Sequence, residues 1–303
     1  MELINKLRRK LEQTLDQTWA LSTKKLIPQA QPLAFEGEPR FALVTVNFST
    51  THYLKLMLLT LCGQTALNAV KKIIIVDNAS KDGGKDFLRK LASACEKVHL
   101  VENRLLLNHA RGLRKGIAHL DRLESDQEGE DLCNLLLICD TDIIFLRPET
   151  LQEVARALSE EKAALAGELR HGLYEYPEAQ ASFLVLRRDI YIKRKTAPFV
   201  NHGAPAYWLQ RSLWKQGEKL ANFPSNKAGY ILHRGRSGVE AAARHHKQSS
   251  YATTNNKHPH YMGIKNGKQT WQAAEMKYEG LLKLKNEPSL ITHLSTSLTV
   301  GAT

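Results

Sequence analysis

Two aspartates one residue apart, Asp140 and Asp142, follow directly on the apolar run Leu135-Leu136-Leu137-Ile138-Cys139. An apolar run of that length, bounded by polar residues, reads as a buried strand. In a parallel sheet, ligands gather at the carboxyl ends of the strands. A D-x-D in that place can hold a divalent cation, and the cation can hold a diphosphate. Carboxylate oxygens suit Mg²⁺ or Mn²⁺. The plain alternative is a solvated strand-to-loop turn, and the tripeptide is too common for its spacing alone to separate the two.

The neighbouring elements supply more polar groups of the same kind. Phe41–Val46 reads as a strand ending at Asn47, with Thr50 and Thr51 placed to cap a helix that uses Leu54, Met57, Leu58 and Leu61. Lys72–Val76 is a second strand ending at Asp77-Asn78, followed by Gly83-Gly84 and a helix with Phe87, Leu88, Leu91 and Cys95. Val98–Val101 is a third strand ending at Glu102-Asn103, and a helix with Leu113, Ile117 and Leu120 follows it. Pro148 opens a helix carrying Leu151, Val154, Ala155 and Leu158. This β-α alternation over residues 41–160 predicts an α/β fold, a mostly parallel sheet with helices on both faces. Polar tips at four strand ends point to one polar site along one edge of that sheet. Beyond residue 160, Ala163–Gly167, Ser182–Leu186 and Gly229–Leu232 read as strands. Ala206–Lys215 and about 270–284 read as helices.

Composition narrows the setting. The chain has 303 residues, 43% hydrophobic, with a net charge of +12 and a pI near 9.5. That balance favours phosphorylated ligands, an anionic membrane surface or nucleic acid. A basic block with interleaved aromatics, zinc-finger spacing and an RNA-binding signature are all missing, so no dedicated nucleic-acid partner is expected. No apolar run reaches the roughly 18 residues that span a bilayer, and Met1–Lys6 lacks a signal-peptide core. The cysteines (Cys62, Cys95, Cys133, Cys139) sit singly, as free thiols do in a reducing compartment. The expected location is cytoplasmic. Leu3, Ile4, Leu7, Leu11, Leu15 and Trp19 form one face of an amphipathic helix flanked by Arg8-Arg9-Lys10. That helix packs on the main domain, joins a homo-oligomer, or touches the cytoplasmic face of a membrane peripherally. Pro28 and Pro32 mark a linker, so three regions are expected: residues 1–35, a main domain over 36–240, and a basic, His-rich extension over 241–303.

Taken in order, these pieces resemble the GT-A glycosyltransferases of family 2. Val44-Thr45-Val46-Asn47-Phe48 is similar to the opening strand and donor loop. Ile74–Gly83 resembles the V-D-N-x-S-x-D-G segment, and Val101-Glu102-Asn103 the segment that closes over the nucleotide. Asp140-Thr141-Asp142 takes the D-x-D position, Ser182–Arg188 resembles the acceptor-side strand, and Gly229–His233 the strand ending in a metal- or phosphate-facing His. The resemblance implies a GT-A fold and transfer of a hexose from a nucleoside-diphosphate sugar to a glycan, glycolipid or small-molecule hydroxyl, assisted by Mn²⁺ or Mg²⁺. It implies donor contacts from Val46, Asn47, Asp77, Asn78, Asn103 and Asp140. It implies metal ligation by Asp142, with Asp140 facing the ribose or a metal-bound water and His233 completing the shell or meeting the diphosphate. Asp77 alternatively makes an Asx turn before Ser80, and Asn103 alternatively just ends a strand. Arg114-Lys115-Gly116 replaces the family's Asn-x-Gly; Arg111 and Arg114 there either hold phosphates or line an exposed basic helix face.

The family's catalytic carboxylate is missing. The stretch Asn201–Trp208 carries none. His202 could act as base, or Glu168 or Glu175 could reach in, or the enzyme is retaining or inactive. Tyr207 and Trp208 either stack on a sugar or sit in the core. His245-His246 and His258-Pro259-His260, with Arg234, Arg236, Arg244 and Lys247, read as a loop closing over phosphate rather than a zinc site, since no Cys is near. The missing carboxylate and the charge leave two other readings: a non-catalytic GT-A-like binding protein, and a nucleotidyltransferase. The latter would ordinarily carry a Gly-rich loop after the first strand, and Asn47–Thr51 has no glycine.

Overall fold

A computed structural model describes residues 37–126, 132–172, 176–193, 196–200, 204–246, 259–283 and 287–300, together with Thr14 and Thr18. Apart from those two threonines, the expected N-terminal helix and its linker lie outside the described residues. No helix among the described residues is long and apolar enough to cross a membrane.

Strands β1 (Phe41–Asn47), β2 (Val70–Asn78), β3 (Val98–Asn103) and β4 (Leu135–Cys139) alternate with helices α1 (Thr51–Leu61), α2 (Lys85–Ala94) and α3 (His109–Leu123). After a short β5 (Ile143–Phe145) come α4 (Thr150–Glu160), β6 (Leu165–Arg170), β7 (Glu178–Arg187), α5 (Arg188–Lys193), α6 (Tyr207–Lys215), β8 (Leu220–Asn222), β9 (Ile231–His233) and α7 (Ser237–His246). Helices α8 (Gly267–Lys277), α9 (Glu279–Leu282) and α10 (Glu287–Val300) follow. Seven strands form one sheet in the order β3-β2-β1-β4-β7-β6-β8, and β5 pairs with β9 in a second. The β3-β2-β1-β4 half is parallel, β7 runs antiparallel to both β4 and β6, and β8 is parallel to β6.

Alternation along each strand divides the core into two layers. Phe41, Leu43, Ile73, Ile75, Leu135 and Leu137 face α1, α2, α4 and α10. Ala42, Val44, Val46, Ile74, Val76, Leu136 and Ile138 face α3, α5 and α6. Burial of each Ile or Leu contributes about 1.5–3 kcal/mol, which is why the doubly covered strands read as unbroken apolar runs. The basic C-terminal region is part of this core: Leu290, Leu294 and Leu298 are buried with α2. Trp271 closes a smaller cluster with Leu56, Ile144 and Leu232. Leu232 belongs to β9, which pairs with β5 and covers Ile231–His233 where the sequence pattern placed a strand over 229–232.

Two glycines set the distance between α3 and the sheet. A Cβ on Gly112 would lie 2.9 Å from the Val46 methyls, and one on Gly116 would lie 2.7 Å from a Val44 methyl. Without side chains at those positions, α3 lies close enough for its N-terminal residues to reach the carboxyl end of β4. Ser49, two residues after β1, and Ala79, the residue after β2, are both left-handed, with φ of 53° and 57°. Non-glycine residues adopt that conformation at a cost, and such strain collects beside functional clefts.

Candidate functional site

The ends of β1, β2 and β4 are tied into one hydrogen-bonded block. The Asn47 amide donates to Thr51 Oγ1, Asp77 Oδ1 and Ser80 Oγ, each at 3.1 Å, and its carbonyl accepts from the Thr50 hydroxyl at 3.0 Å. Asn47 and Asp77 are fully buried. The second Asp77 oxygen accepts from Ser80 N and stands 3.8 Å from Lys85 Nζ. So the Asn47 side chain works inside the protein, and Asp77 also makes a local contact, accepting from the backbone N–H three residues on. Thr50 does not cap α1 with its side chain. Its hydroxyl instead meets Thr141, the middle residue of the D-x-D, at 2.8 Å. Asp82 Oδ2 takes over the capping by accepting from Thr51 N at 2.8 Å.

The β3 side is organised around Asn78. Its side chain both donates to Leu107 O at 2.6 Å and accepts from Leu107 N at 2.9 Å. Asn103 donates to Asn78 Oδ1 at 3.4 Å and accepts from Lys115 Nζ at 2.7 Å. Beside them Glu102, Asn103, Arg104, Leu105, Leu107 and Lys115 line a cavity of about 360 Å³. Val46 is packed under α3. Asn108 caps α3 by accepting from Arg111 N at 2.9 Å, and Arg114 Nη1 donates to Phe199 O at 2.7 Å.

Asp140 and Asp142 stand where β4 ends, with Asp140 N donating to Ser182 O of β7. His233, at the end of β9, reaches both: its Nε2 is 3.5 Å from Asp140 Oδ2 and 3.4 Å from Asp142 Oδ1. One ligand atom from each of the three lies within 4.8 Å of the others. His109 enters from the first turn of α3, its Nε2 3.7 Å from Asp140 Oδ1. Asp142 Oδ2 also accepts from Ser237 N at 3.3 Å, which places the start of α7 on that carboxylate.

These positions set the protonation of the cluster. Burial would raise the Asp142 carboxyl, but the hydrogen bond and charge of His233, with the Ser237 contacts, outweigh it and hold the pKa at about 2. Burial raises Asp140, partly offset by His109 and His233 and reinforced by the charge of Asp142. Burial would lower His233, but the Asp142 hydrogen bond and both carboxylate charges raise it instead. The shifts favour the ionised form of Asp142 and the protonated form of His233.

Among the other expected residues, Glu168 does not face this cluster with a free carboxylate. Its Oε2 accepts from Asn226 N and Lys227 N at 2.8 and 2.9 Å, and Asn226 Oδ1 in turn accepts from His233 N. His202 and Glu175 lie outside the described residues, as does His258. From the His-rich region, His246 stacks on Phe48 at 4.5 Å and its Nε2 lies 3.1 Å from Ser49 Oγ. His260 stands edge-on to His233 at 5.1 Å. On α6, Tyr207 and Trp208 are both partly exposed and meet edge to face at 4.9 Å. Trp214, 41% exposed, stacks one face on the buried Tyr176.

The sequence pattern did not mark His109 or Ser237 as partners of the aspartates. The signal for His109 was its place directly after an Asn N-cap, which puts its side chain at the sheet edge.

Residues 43–215 match the profile described as Glycosyl transferase family 2. That is more than half of the chain, which therefore belongs to this family and has its GT-A fold. No curated protein matches the sequence. Among solved structures, the chain is similar to the mannosyltransferase PcManGT from Pyrobaculum calidifontis in complex with GDP-Man and Mn²⁺. Identity is 16% and the TM-score 0.48, covering 94% of this chain and 82% of that one. It is also similar to S. aureus TarS 1-349 in complex with UDP-GlcNAc, at 10% identity and a TM-score of 0.46. That match covers 86% of this chain and 81% of that one.

Proposed function

We propose that this glycosyltransferase moves a hexose from a nucleoside-diphosphate sugar to an acceptor hydroxyl with the help of a divalent cation. The observation that carries the reading is the convergence of Asp140, Asp142 and His233 at the carboxyl end of β4. Two carboxylates and one imidazole, closed on one side by α7 and 28% open at the Asp140 side chain, fit an ion that keeps exchangeable positions. Of the two expected ions, Mn²⁺ accepts an imidazole more readily than Mg²⁺, which prefers an all-oxygen shell. Asp142, Asp140 and His233 would hold it, His233 losing its proton on ligation. The bound cation supplies charge neutralisation of the departing diphosphate.

In the transfer, the bond between the anomeric carbon and the diphosphate oxygen breaks, and its electron pair leaves with the diphosphate. The acceptor oxygen bonds to the anomeric carbon and its proton passes to a base. The Asn78–Asn103–Lys115 network and the cavity beside it suit the nucleoside; the exposed faces of Trp208 and Trp214 on α6 suit an acceptor sugar. We assign the base to His202 in preference to Glu168, whose carboxylate is engaged in holding the turn at 226–227. His202→Ala is expected to lower the rate at saturating donor more than tenfold, with Glu168→Gln lowering it less. The reverse order would move the base to Glu168.

The donor reading is tested by thermal unfolding with UDP and with GDP, each with and without Mn²⁺. One of the two is expected to raise the Tm only when Mn²⁺ is present, since a ligand that binds the folded state alone stabilises it in proportion to its occupancy. A Tm that neither nucleotide moves under any condition would overturn the proposal.

A further inference from the structure

We propose that Arg236 clamps the diphosphate of the donor, beside the Asp140–Asp142–His233 cluster; the inference rests on reading that cluster as the donor site. Among the described residues, four arginines have a buried nitrogen without a hydrogen-bond partner: Arg170, Arg188, Arg211 and Arg236. Arg170 is paired with Glu178 and Arg188 with Asp121 and Glu124. Arg211 lies over the Trp208 ring. Arg236 has no counter-ion or ring among the described residues, although its Nε is buried. Its neighbour Arg234 shows the contrast. Arg234 Nη2 donates to both oxygens of Glu240 at 3.0 Å, and its guanidinium covers the Tyr53 ring at 4.7 Å.

The backbone holds Arg236 against the aspartates. Two residues before it, Arg234 N donates to Asp142 O at 2.9 Å. One residue after it, Ser237 N donates to Asp142 Oδ2. The chain is thus wrapped on Asp142 on both sides of Arg236. That wrap requires two consecutive left-handed residues, Gly235 and Arg236, both at φ 68°. Glycine takes this conformation freely and arginine does not. A strained arginine, desolvated in part and without a counter-ion among the described residues, is a feature that stability alone does not favour. A diphosphate resolves it. It brings two or more negative charges to within the reach of a guanidinium whose backbone lies on Asp142, and a guanidinium matches phosphate oxygens two at a time. When the diphosphate departs, its charge rises, so the same contact strengthens in the transition state.

The test is calorimetric titration of UDP and GDP, each with Mn²⁺, into the full chain and into Arg236→Ala, Arg236→Gly, Arg236→Lys and Asp142→Asn. For the nucleotide that the wild type binds, Arg236→Ala and Arg236→Gly are expected to weaken affinity tenfold or more, with Arg236→Lys recovering part of the loss. Arg236→Gly is expected to unfold at or above the wild-type Tm without nucleotide, because glycine removes the strain. A purely structural arginine would lower the Tm instead. An affinity loss below tenfold in both Arg236→Ala and Arg236→Gly overturns the assignment, and if Asp142→Asn still abolishes binding in that case, the donor site stands without Arg236. If the wild type binds neither nucleotide, the donor-site reading itself fails.

Discussion

Asp142→Asn is expected to lower transfer at saturating donor by at least about 100-fold, close to 2.7 kcal/mol of transition-state stabilisation. The substitution keeps the shape of the side chain and removes its charge. The asparagine carbonyl can still accept from Ser237 N, so the start of α7 stays in place. His233 then loses the hydrogen bond and charge that most raise its pKa and shifts toward the neutral imidazole, which needs no counter-charge. Both effects leave the fold standing and weaken cation binding, because a neutral amide replaces a carboxylate whose pKa is held at about 2. The measurement is therefore double. Steady-state transfer should collapse, and the Mn²⁺-dependent rise in Tm with nucleotide should disappear, while the Tm without nucleotide changes little. Transfer within tenfold of the wild type would mean that Asp142 is not a metal ligand.

How much of this site was legible in the sequence depended on where each interaction is encoded. β1, β2 and β4 are covered on both faces, so each appears as an unbroken apolar run, and the polar residue that ends the run is automatically at the sheet edge. That is why Asn47, Asp77 and Asp140 could be placed from the chain alone. What the residues do there was less legible. Asn47 and Thr50 carry the right chemistry for a ligand or a cap, but beside their local bonds they reach Asp77, Ser80 and Thr141, residues 30 or more positions away in the chain. His109 approaches Asp140 only because Gly112 and Gly116 let α3 settle onto β1. The β5–β9 pairing rests on two three-residue strands, too short for a period-2 pattern to show. Leu290, Leu294 and Leu298 do carry a helical spacing, which the polar composition of the region masked.

The least legible feature is a buried charge cluster at the opposite end of the sheet, and breaking it is expected to have the largest effect on stability. Glu124, just after α3, has a side chain that is 0% exposed. It pairs with Lys72 of β2 at 2.8 Å, accepts from Cys133 N ahead of β4, and forms an ion pair with Arg188, which also donates to Cys133 O and Asp121. One carboxylate thus joins β2, α3, β4 and the β7–α5 junction. Glu124→Gln leaves the buried Arg188 and the part-buried Lys72 facing a neutral amide, and the expected loss is about 3–5 kcal/mol, read from urea unfolding midpoints at pH 7. The pH dependence follows from the sign of the shift. Burial would raise the Glu124 carboxyl, but the Lys72 hydrogen bond, the Arg188 charge and the Cys133 N–H outweigh it and hold it below the ordinary glutamate value. Its contribution is therefore complete above the unfolded-chain pKa of about 4.3 and is lost as pH falls through the depressed folded value. The stability gap between the wild type and Glu124→Gln should stay constant from neutral pH down to about 5 and close on further acidification. Removing all three partners as Lys72→Met, Glu124→Leu and Arg188→Met should destabilise less than Glu124→Gln alone, because no buried charge is then left without a partner. A single-variant loss under about 1 kcal/mol would place Glu124 with ordinary surface ion pairs, and the four elements would then be held at that end by packing alone.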